Sequence, residues 1–121
     1  MTARGPRHQR GSVLVLAAFG LGVALACLMV LDVAHVFTVK RDLQKVADLA
    51  VLAGARLPGS CAAMQARSEA SAVANNHDVG ATRTLRLECG TWAAATGFAA
   101  SGTAATALRG TATRQVPYFF M

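Results

Sequence analysis

An uninterrupted apolar run over residues 12–31 constrains this chain more than any other feature of its sequence. The run contains no charged residue and no proline. As a helix it would extend roughly 30 Å, about the thickness of a bilayer core. A soluble domain this small does not bury a helix that is apolar on every side. We therefore predict a transmembrane helix over residues 12–31, between a basic tail (1–11) and a small domain.

The positive charge of the chain is dispersed. The formal net charge is +6, and half of it comes from Arg4, Arg7 and Arg10 in the tail. Basic residues beside a span favour the cytoplasmic side of a membrane. A dense basic patch with interleaved aromatic residues is missing from the sequence, which argues against nucleic acid as a partner. An uncleaved signal-anchor is favoured over a removed signal peptide, because the apolar run is about twice the usual length of a signal core.

Small residues recur at every fourth position within the run, at Ala18, Gly22 and Ala26. This spacing lets two helix backbones approach closely in lipid, so these positions are predicted to pack against another transmembrane helix. A span rich in alanine and glycine also produces the spacing by chance, and the sequence leaves both explanations open. Cys27, in the same run, is predicted to be a small apolar filler.

Residues 32–57 are predicted to continue the span as an amphipathic helix. Asp32 and His35 are expected to mark the lipid boundary, and a buried functional pair is the alternative. Gly54 and Pro58 are expected to end the helix at about residue 56. Apolar residues with the three-and-four spacing of one helix face form a stripe that suits a partner helix. The members of this partner-helix stripe are Val36, Val39, Leu43, Val46, Ala50 and Ala53.

The remaining residues, 58–121, predict a small α+β region. A second, alanine-rich helix is expected over 61–76, with Ser60 as its N-cap. Alternating apolar and polar residues then predict two strands, over 82–89 and 107–116, which pair antiparallel as a hairpin or small sheet. The fold class is therefore α+β with a long N-terminal membrane helix.

Glycine and aromatic residues set the expected limits of those strands. Gly90 is predicted to end the first strand, and residues 93–105 to form a loop anchored only by Phe98. Arg114 falls on the apolar side of the second strand, which indicates either an edge strand or a change of register. The chain finishes on aromatic residues (117–121), which are expected either to pack on another surface or to mark a domain that continues further.

No pattern for catalysis, metal or cofactor binding stands out. The histidines, His8, His35 and His77, lie far apart in the sequence, and His77 with Cys61 and Cys89 lacks the spacing of a zinc site. We therefore expect no enzyme activity, no cofactor and no small-molecule substrate.

Cys61 and Cys89 are more informative as a pair. If the C-terminal region lies outside the cytoplasm, a disulfide between them is permitted, and it would contribute roughly 3 kcal/mol to stability. Two unrelated buried thiols are the alternative.

Residues 10–56 resemble the N-terminal segment of TadG-like proteins of the Flp (tight adherence) pilus-assembly systems. In that family an Arg-Gly pair precedes the span, an aspartate ends it, and a helix with a characteristic run of leucine, alanine and glycine follows. The matching residues here are Arg10-Gly11, Asp32, Arg41, Leu43-Gln44, Ala47-Asp48, Ala50 and Leu52-Ala53-Gly54-Ala55.

The resemblance implies a single-pass protein of the bacterial inner membrane, with its N-terminus cytoplasmic and its C-terminal region periplasmic. The first hypothesis is an accessory component of Flp/Tad (type IVb) pilus assembly that packs its helix on other pilus proteins or on itself. The second is a minor pseudopilin cleaved between Gly11 and Ser12, although the glutamate expected five residues after the cleavage site is Leu16 here. The third is an unrelated small basic protein that acts on membranes or nucleic acid.

Overall fold

The computed structural model describes residues 9–57, 59–102 and 105–120. Two helices precede three strands in this part of the chain, and the strands form one antiparallel sheet in the order β2-β1-β3. This confirms the predicted α+β class, with a long N-terminal helix, a second helix and a small sheet. The elements are α1 (Gln9–Ala55), α2 (Cys61–Ala74), β1 (Arg83–Ala93), β2 (Gly97–Ala100) and β3 (Ala107–Arg114).

Two compact units make up the fold. We call the first the helical unit; its described residues are 9–37 of α1 together with 118–120. The second, the α+β unit, is Thr38–Pro117. Each unit is described separately below.

The helical unit leaves its apolar side chains uncovered. The most apolar window of 18 residues in α1 has a mean hydropathy of 2.7, and none of it is buried, so α1 is long and apolar enough to cross a membrane. A solvent-exposed surface this apolar does not persist in water, because soluble proteins keep their exposed apolar patches small. The large exposed side chains of the run are Val13, Leu14, Val15, Leu16, Phe19, Leu21, Val23, Leu25, Met29, Val30 and Leu31.

The α+β unit, by contrast, has a core of its own. Its centre is Met64 of α2, which is fully buried against Leu108 of β3 and Cys89 of β1. Val51 of α1 and Leu87 of β1 pack on this cluster from outside. The C-terminal part of α1 therefore belongs to the core of a folded domain.

The helix α1 ends at Ala55, close to the predicted end at about residue 56, and it runs through Gly54. Gly54 is buried where α1 meets α2: a Cβ atom there would overlap the Ser68 side chain and lie 2.7 Å from the Met64 carbonyl oxygen. The residue is small because the two helices touch at this point. Gly59, in the connection to α2, is the position with a left-handed backbone (φ +110°).

The second helix begins as predicted and ends slightly early. The Ser60 side chain accepts a hydrogen bond from the backbone N–H of Ala63 and caps the N-terminus. The helix ends at Ala74 rather than at residue 76, and Asn75 is its C-cap. Asn76 then takes a positive φ of 59°, a conformation that asparagine tolerates better than most residues, and so reverses the chain.

Gly90 does not end β1, contrary to the prediction. The strand continues to Ala93, and Gly90 pairs with Ala107 of β3 on one side and with Ala100 of β2 on the other. A Cβ atom at Gly90 would overlap the Ala99 carbonyl oxygen, so the close approach of β2 requires glycine here.

Residues 93–105 are likewise not a single loop, because Gly97–Ala100 form β2 and pair with the end of β1. The sheet order does place β3 at an edge, as the position of Arg114 indicated.

Candidate functional site: surfaces of the two units

The small residues of the apolar run lie open on α1. Ala18, Gly22 and Ala26 are all exposed, and a Cβ atom added at Gly22 would meet no other atom within 4 Å. No other described part of the chain covers this ridge. A second helix could therefore approach it closely. Cys27, a free thiol beside the ridge, is also exposed.

The partner-helix stripe lies in a different environment from the one predicted. Val39 and Ala50 are buried, and Leu43, Val46 and Ala53 are half-buried within the α+β unit. Neighbouring positions of α1 contact α2 and β3: Ser71 donates a hydrogen bond to the Leu49 carbonyl, and Gly110 lies against Val51 and Ala47. Most of the stripe is therefore the packing face of the chain's own domain and is not free for a partner. Val36, in the helical unit, is half-buried.

Cys61 and Cys89 are joined by a disulfide, with 5.8 Å between their Cα atoms and a sequence separation of 28. The bond links the first residue of α2 to β1 beside the buried Met64 cluster. Gly11 and Ser12, the candidate processing site, lie exposed in the first turns of α1.

Asp32 makes a contact that the sequence did not indicate. It is the first charged residue after the apolar run, and it is only 1% exposed. Its Oδ1 accepts a hydrogen bond from the backbone N–H of Phe119 (N–O distance 3.0 Å), and its Oδ2 accepts one from the N–H of Phe120 (3.1 Å). A buried carboxylate needs such partners, since an unpaired one is costly. Asp32 therefore holds the C-terminal residues of the helical unit against α1.

Phe119 also contacts a second residue of α1. Its ring meets the His35 ring edge to face, with 5.3 Å between the ring centroids. The Phe119 and Phe120 rings lie 6.4 Å apart, and both remain more than half exposed. The expected boundary residues, Asp32 and His35, thus contact the end of the chain.

His77 has a structural position in the α+β unit. It is 3% exposed, and its Nε2 lies 3.1 Å from the Thr84 carbonyl oxygen of β1. Because a carbonyl oxygen only accepts, Nε2 carries the hydrogen and donates it. The His77 backbone N–H donates to the Ala72 carbonyl of α2, so this histidine links α2 to the sheet.

A charged cluster occupies the outer face of the sheet. Glu88 of β1 pairs with Arg109, its cross-strand neighbour in β3, and also with Arg86, whose Nη2 lies 2.9 Å from Oε1. The hydrogen bond from Arg109 is the main cause that holds the pKa of Glu88 below its ordinary value. The Arg109 guanidinium also lies 4.8 Å from the centre of the Phe98 ring.

A groove of about 600 Å³ lies beside this cluster, between α1 and the sheet. Leu52 of α1 and Trp92 of β1 form part of its lining and are both more than half exposed. No pattern in the sequence predicted this surface. The available signal was an aromatic residue, Trp92, directly after the alternating stretch.

Within the residues that the structure describes, no group of three or more histidine, cysteine, aspartate or glutamate side chains is placed to hold a metal ion.

Two family models match this chain. Residues 11–57 match the Tad model, described as Flp pilus-assembly TadE/G-like. Residues 53–121 match the Tad_C model, described as Tad-like Flp pilus-assembly. The chain belongs to the Tad-like Flp pilus-assembly family. The curated proteins and the solved structures compared with it gave no match.

Membership in the Tad-like family confirms the resemblance to TadG-like proteins and extends it over residues 11–121. The two models meet at residues 53–57, where α1 ends. Both descriptions concern pilus assembly and name no reaction. The long apolar helix fits a membrane anchor.

Proposed function

We propose that this chain is a single-pass inner-membrane accessory component of Flp/Tad pilus assembly. Residues 12–31 form the span, the basic tail (1–11) lies in the cytoplasm, and residues 58–121 lie in the periplasm. Residues 32–57 extend the span into the α+β unit. The protein acts as a structural element and not as a catalyst.

The observation that carries the proposal is that no residue in the most apolar window of α1 is buried. The α+β unit buries its own apolar residues, so the exposed run is not explained by a chain that lacks a core. Lipid is the environment that suits such a helix. The disulfide supports the periplasmic placement, because structural disulfides persist in oxidising compartments.

Two surfaces would contact other pilus-assembly proteins. In the membrane, the ridge of Ala18, Gly22 and Ala26 suits a second helix, either from another protein or from a second copy of this chain. Outside the membrane, the groove at Leu52 and Trp92 supplies the exposed apolar surface that the buried stripe does not.

A matched pair of substitutions tests the ridge. Gly22→Leu places a bulky side chain on it, whereas Gly20→Leu places the same side chain about 200° away around the helix. Both positions are open, so neither variant is strained and both remain apolar enough to insert. In cells that assemble this pilus, we expect Gly22→Leu to reduce piliation and Gly20→Leu to leave it close to normal. Equal piliation in the two variants would contradict helix packing through the ridge.

The same cells test the topology with a membrane-impermeant thiol reagent. We expect Cys61 and Cys89 to be labelled in intact cells only after reduction. Labelling that requires cell lysis would place the α+β unit in the cytoplasm and contradict the proposal. Mass spectrometry of the purified chain would show an intact N-terminal tail for an anchor, or Ser12 as the first residue for a cleaved pseudopilin.

A further inference from the structure

We propose that residues 118–120 are a second membrane-contacting element, which Asp32 fastens to α1 so that its aromatic side chains lie in the headgroup region of the bilayer. The inference rests on the proposed membrane span. It assigns a role to the exposed aromatic residues that the pilus-assembly proposal leaves unused.

The aromatic side chains of residues 118–120 are exposed, although their backbone is anchored. Tyr118, Phe119 and Phe120 are respectively 56%, 68% and 55% exposed. Their backbone is nevertheless held in place, because the N–H groups of Phe119 and Phe120 donate to the two carboxylate oxygens of Asp32. An anchored backbone that presents three aromatic rings outward is the arrangement of a docking element, not of a frayed chain end.

The residues that Phe119 contacts lie just beyond the apolar run of α1. At 1.5 Å per residue, Asp32 and His35 lie about 1.5 Å and 6 Å beyond Leu31, the last residue of the apolar run. The headgroup layer is roughly 5–8 Å thick on each side of the bilayer core. Phe119 touches both Asp32 and His35, so it lies at the depth of that layer when residues 12–31 fill the core.

The residue types around Asp32 suit a membrane interface. Aromatic residues are enriched at membrane interfaces, where an apolar ring and a polar tip find suitable environments together. Tyr118 has this character. Exposed apolar side chains of α1 in the same unit, Val33 and Phe37, continue the apolar surface past Asp32. The polar groups that would be costly there, namely the Asp32 carboxylate and the two backbone N–H groups, satisfy one another.

Depth-dependent fluorescence quenching tests the proposal on the full chain. Trp92→Phe removes the native tryptophan, and Phe119→Trp, Phe19→Trp or Val79→Trp then introduces a single probe. Each protein is reconstituted in vesicles of three parts phosphatidylcholine to one part phosphatidylglycerol, with lipids brominated either near the glycerol or near the end of the acyl chain. Val79 is exposed in the α+β unit and serves as the matched control.

We expect the Phe119→Trp probe to lose most fluorescence with bromine near the glycerol, and the Phe19→Trp probe with bromine near the chain end. Quenching at position 19 without quenching at position 119 would overturn this proposal and leave the span intact. An absence of quenching at position 19 would instead contradict the membrane anchor. A Phe119→Trp probe that stays accessible to the water-soluble quencher acrylamide would also overturn the proposal. That result is expected if another protein, which the vesicles lack, normally covers the aromatic residues.

The role of Asp32 is tested in the Phe119→Trp background. Asp32→Ala removes both acceptor oxygens, so the probe should lose its quenching by bromine near the glycerol and become accessible to acrylamide. Asp32→Asn keeps one acceptor oxygen and should fall between Asp32→Ala and the parent. Asp42→Ala, which removes an exposed carboxylate of α1 paired with Lys45, should change neither value. Unchanged quenching in Asp32→Ala would show that Asp32 does not fasten the segment.

Discussion

The two units of this protein place similar apolar side chains of one helix in opposite environments. In the helical unit, Leu21 of α1 is 65% exposed, although it lies in the middle of the apolar run. In the α+β unit, the same helix buries Val39 and Ala50. The residue types hardly differ, but the pattern does: the run is apolar all round, whereas the later part is apolar on one face. The first part of α1 therefore fits a membrane anchor, whereas the second part packs in a protein core.

The disulfide offers the largest test of this comparison. Replacing both partners, by Cys61→Ser with Cys89→Ser, removes a cross-link that closes a loop of 28 residues. The chain-entropy estimate for such a loop is about 3–4 kcal/mol of unfolding free energy. Urea unfolding in detergent micelles, followed by Trp92 fluorescence, should show a lower midpoint for the α+β unit. Cys27→Ser, in the helical unit, should leave the midpoint unchanged, and an equal shift in both proteins would contradict the separate stabilisation of the α+β unit.

A pair of exposed leucines on α1 gives a test of similar size. Leu21 and Leu52 are 65% and 61% exposed, so exposure alone predicts equal tolerance of charge. Leu21→Arg places a cation at the centre of the proposed span, which costs about 3 kcal/mol of insertion free energy. Leu52→Arg, in the α+β unit, should cost almost nothing. The measurement is the fraction of chain that resists extraction of membranes with alkaline carbonate, and equal fractions for the two variants would mean that both leucines face the same solvent.

The smallest expected effect is a pH dependence confined to the α+β unit. Arg109 holds the pKa of Glu88 below its ordinary value. The resulting stabilisation is complete above the pKa of the unfolded chain, and it is lost as the pH falls through the lowered pKa of the folded state. Glu88→Gln should therefore lower the melting temperature slightly at neutral pH, with the gap to the wild type closing in acid. Glu69→Gln, which removes an exposed carboxylate of α2, is the control. A difference in melting temperature that persists in acid would rule out the lowered pKa of Glu88 as its cause.

Much of the fold follows from local patterns in the sequence. The apolar run, the stripe on α1, the capping serine of α2 and the alternation at Leu85, Leu87 and Cys89 are all periodic or local signals. The structure has an element at each of these places. Such signals depend on neighbouring residues only, so they can be interpreted without knowledge of the tertiary fold.

The features that the sequence did not predict depend on distant contacts. The strand β2 is four residues of glycine, phenylalanine and alanine, and it has no alternation to reveal it. Gly54 and Gly90 resemble element ends in the sequence, but each is small because a separate element touches it. Asp32 meets Phe119 and Phe120 across 87 and 88 residues, so neither the aspartate nor the aromatic end could indicate the other.

The stripe was predicted to face a partner helix, but the structure buries or half-buries each of its residues. A helix with one apolar face predicts that something covers that face, but periodicity does not say whether the cover comes from another chain or from later residues of the same one. Here residues of α2 and β3 pack against this part of α1, at Val51 and Gly54.

The order of these elements along the chain has a consequence for biosynthesis. A ribosome makes α1 before β3, and Leu108 of β3 packs on Met64 in the core. Folding of the α+β unit therefore cannot be completed until β3 has been made, because β3 pairs with β1 along most of its length. Until then the apolar stripe of α1 is exposed on the nascent chain. A chaperone therefore has greater access to the stripe at this stage than in the folded protein.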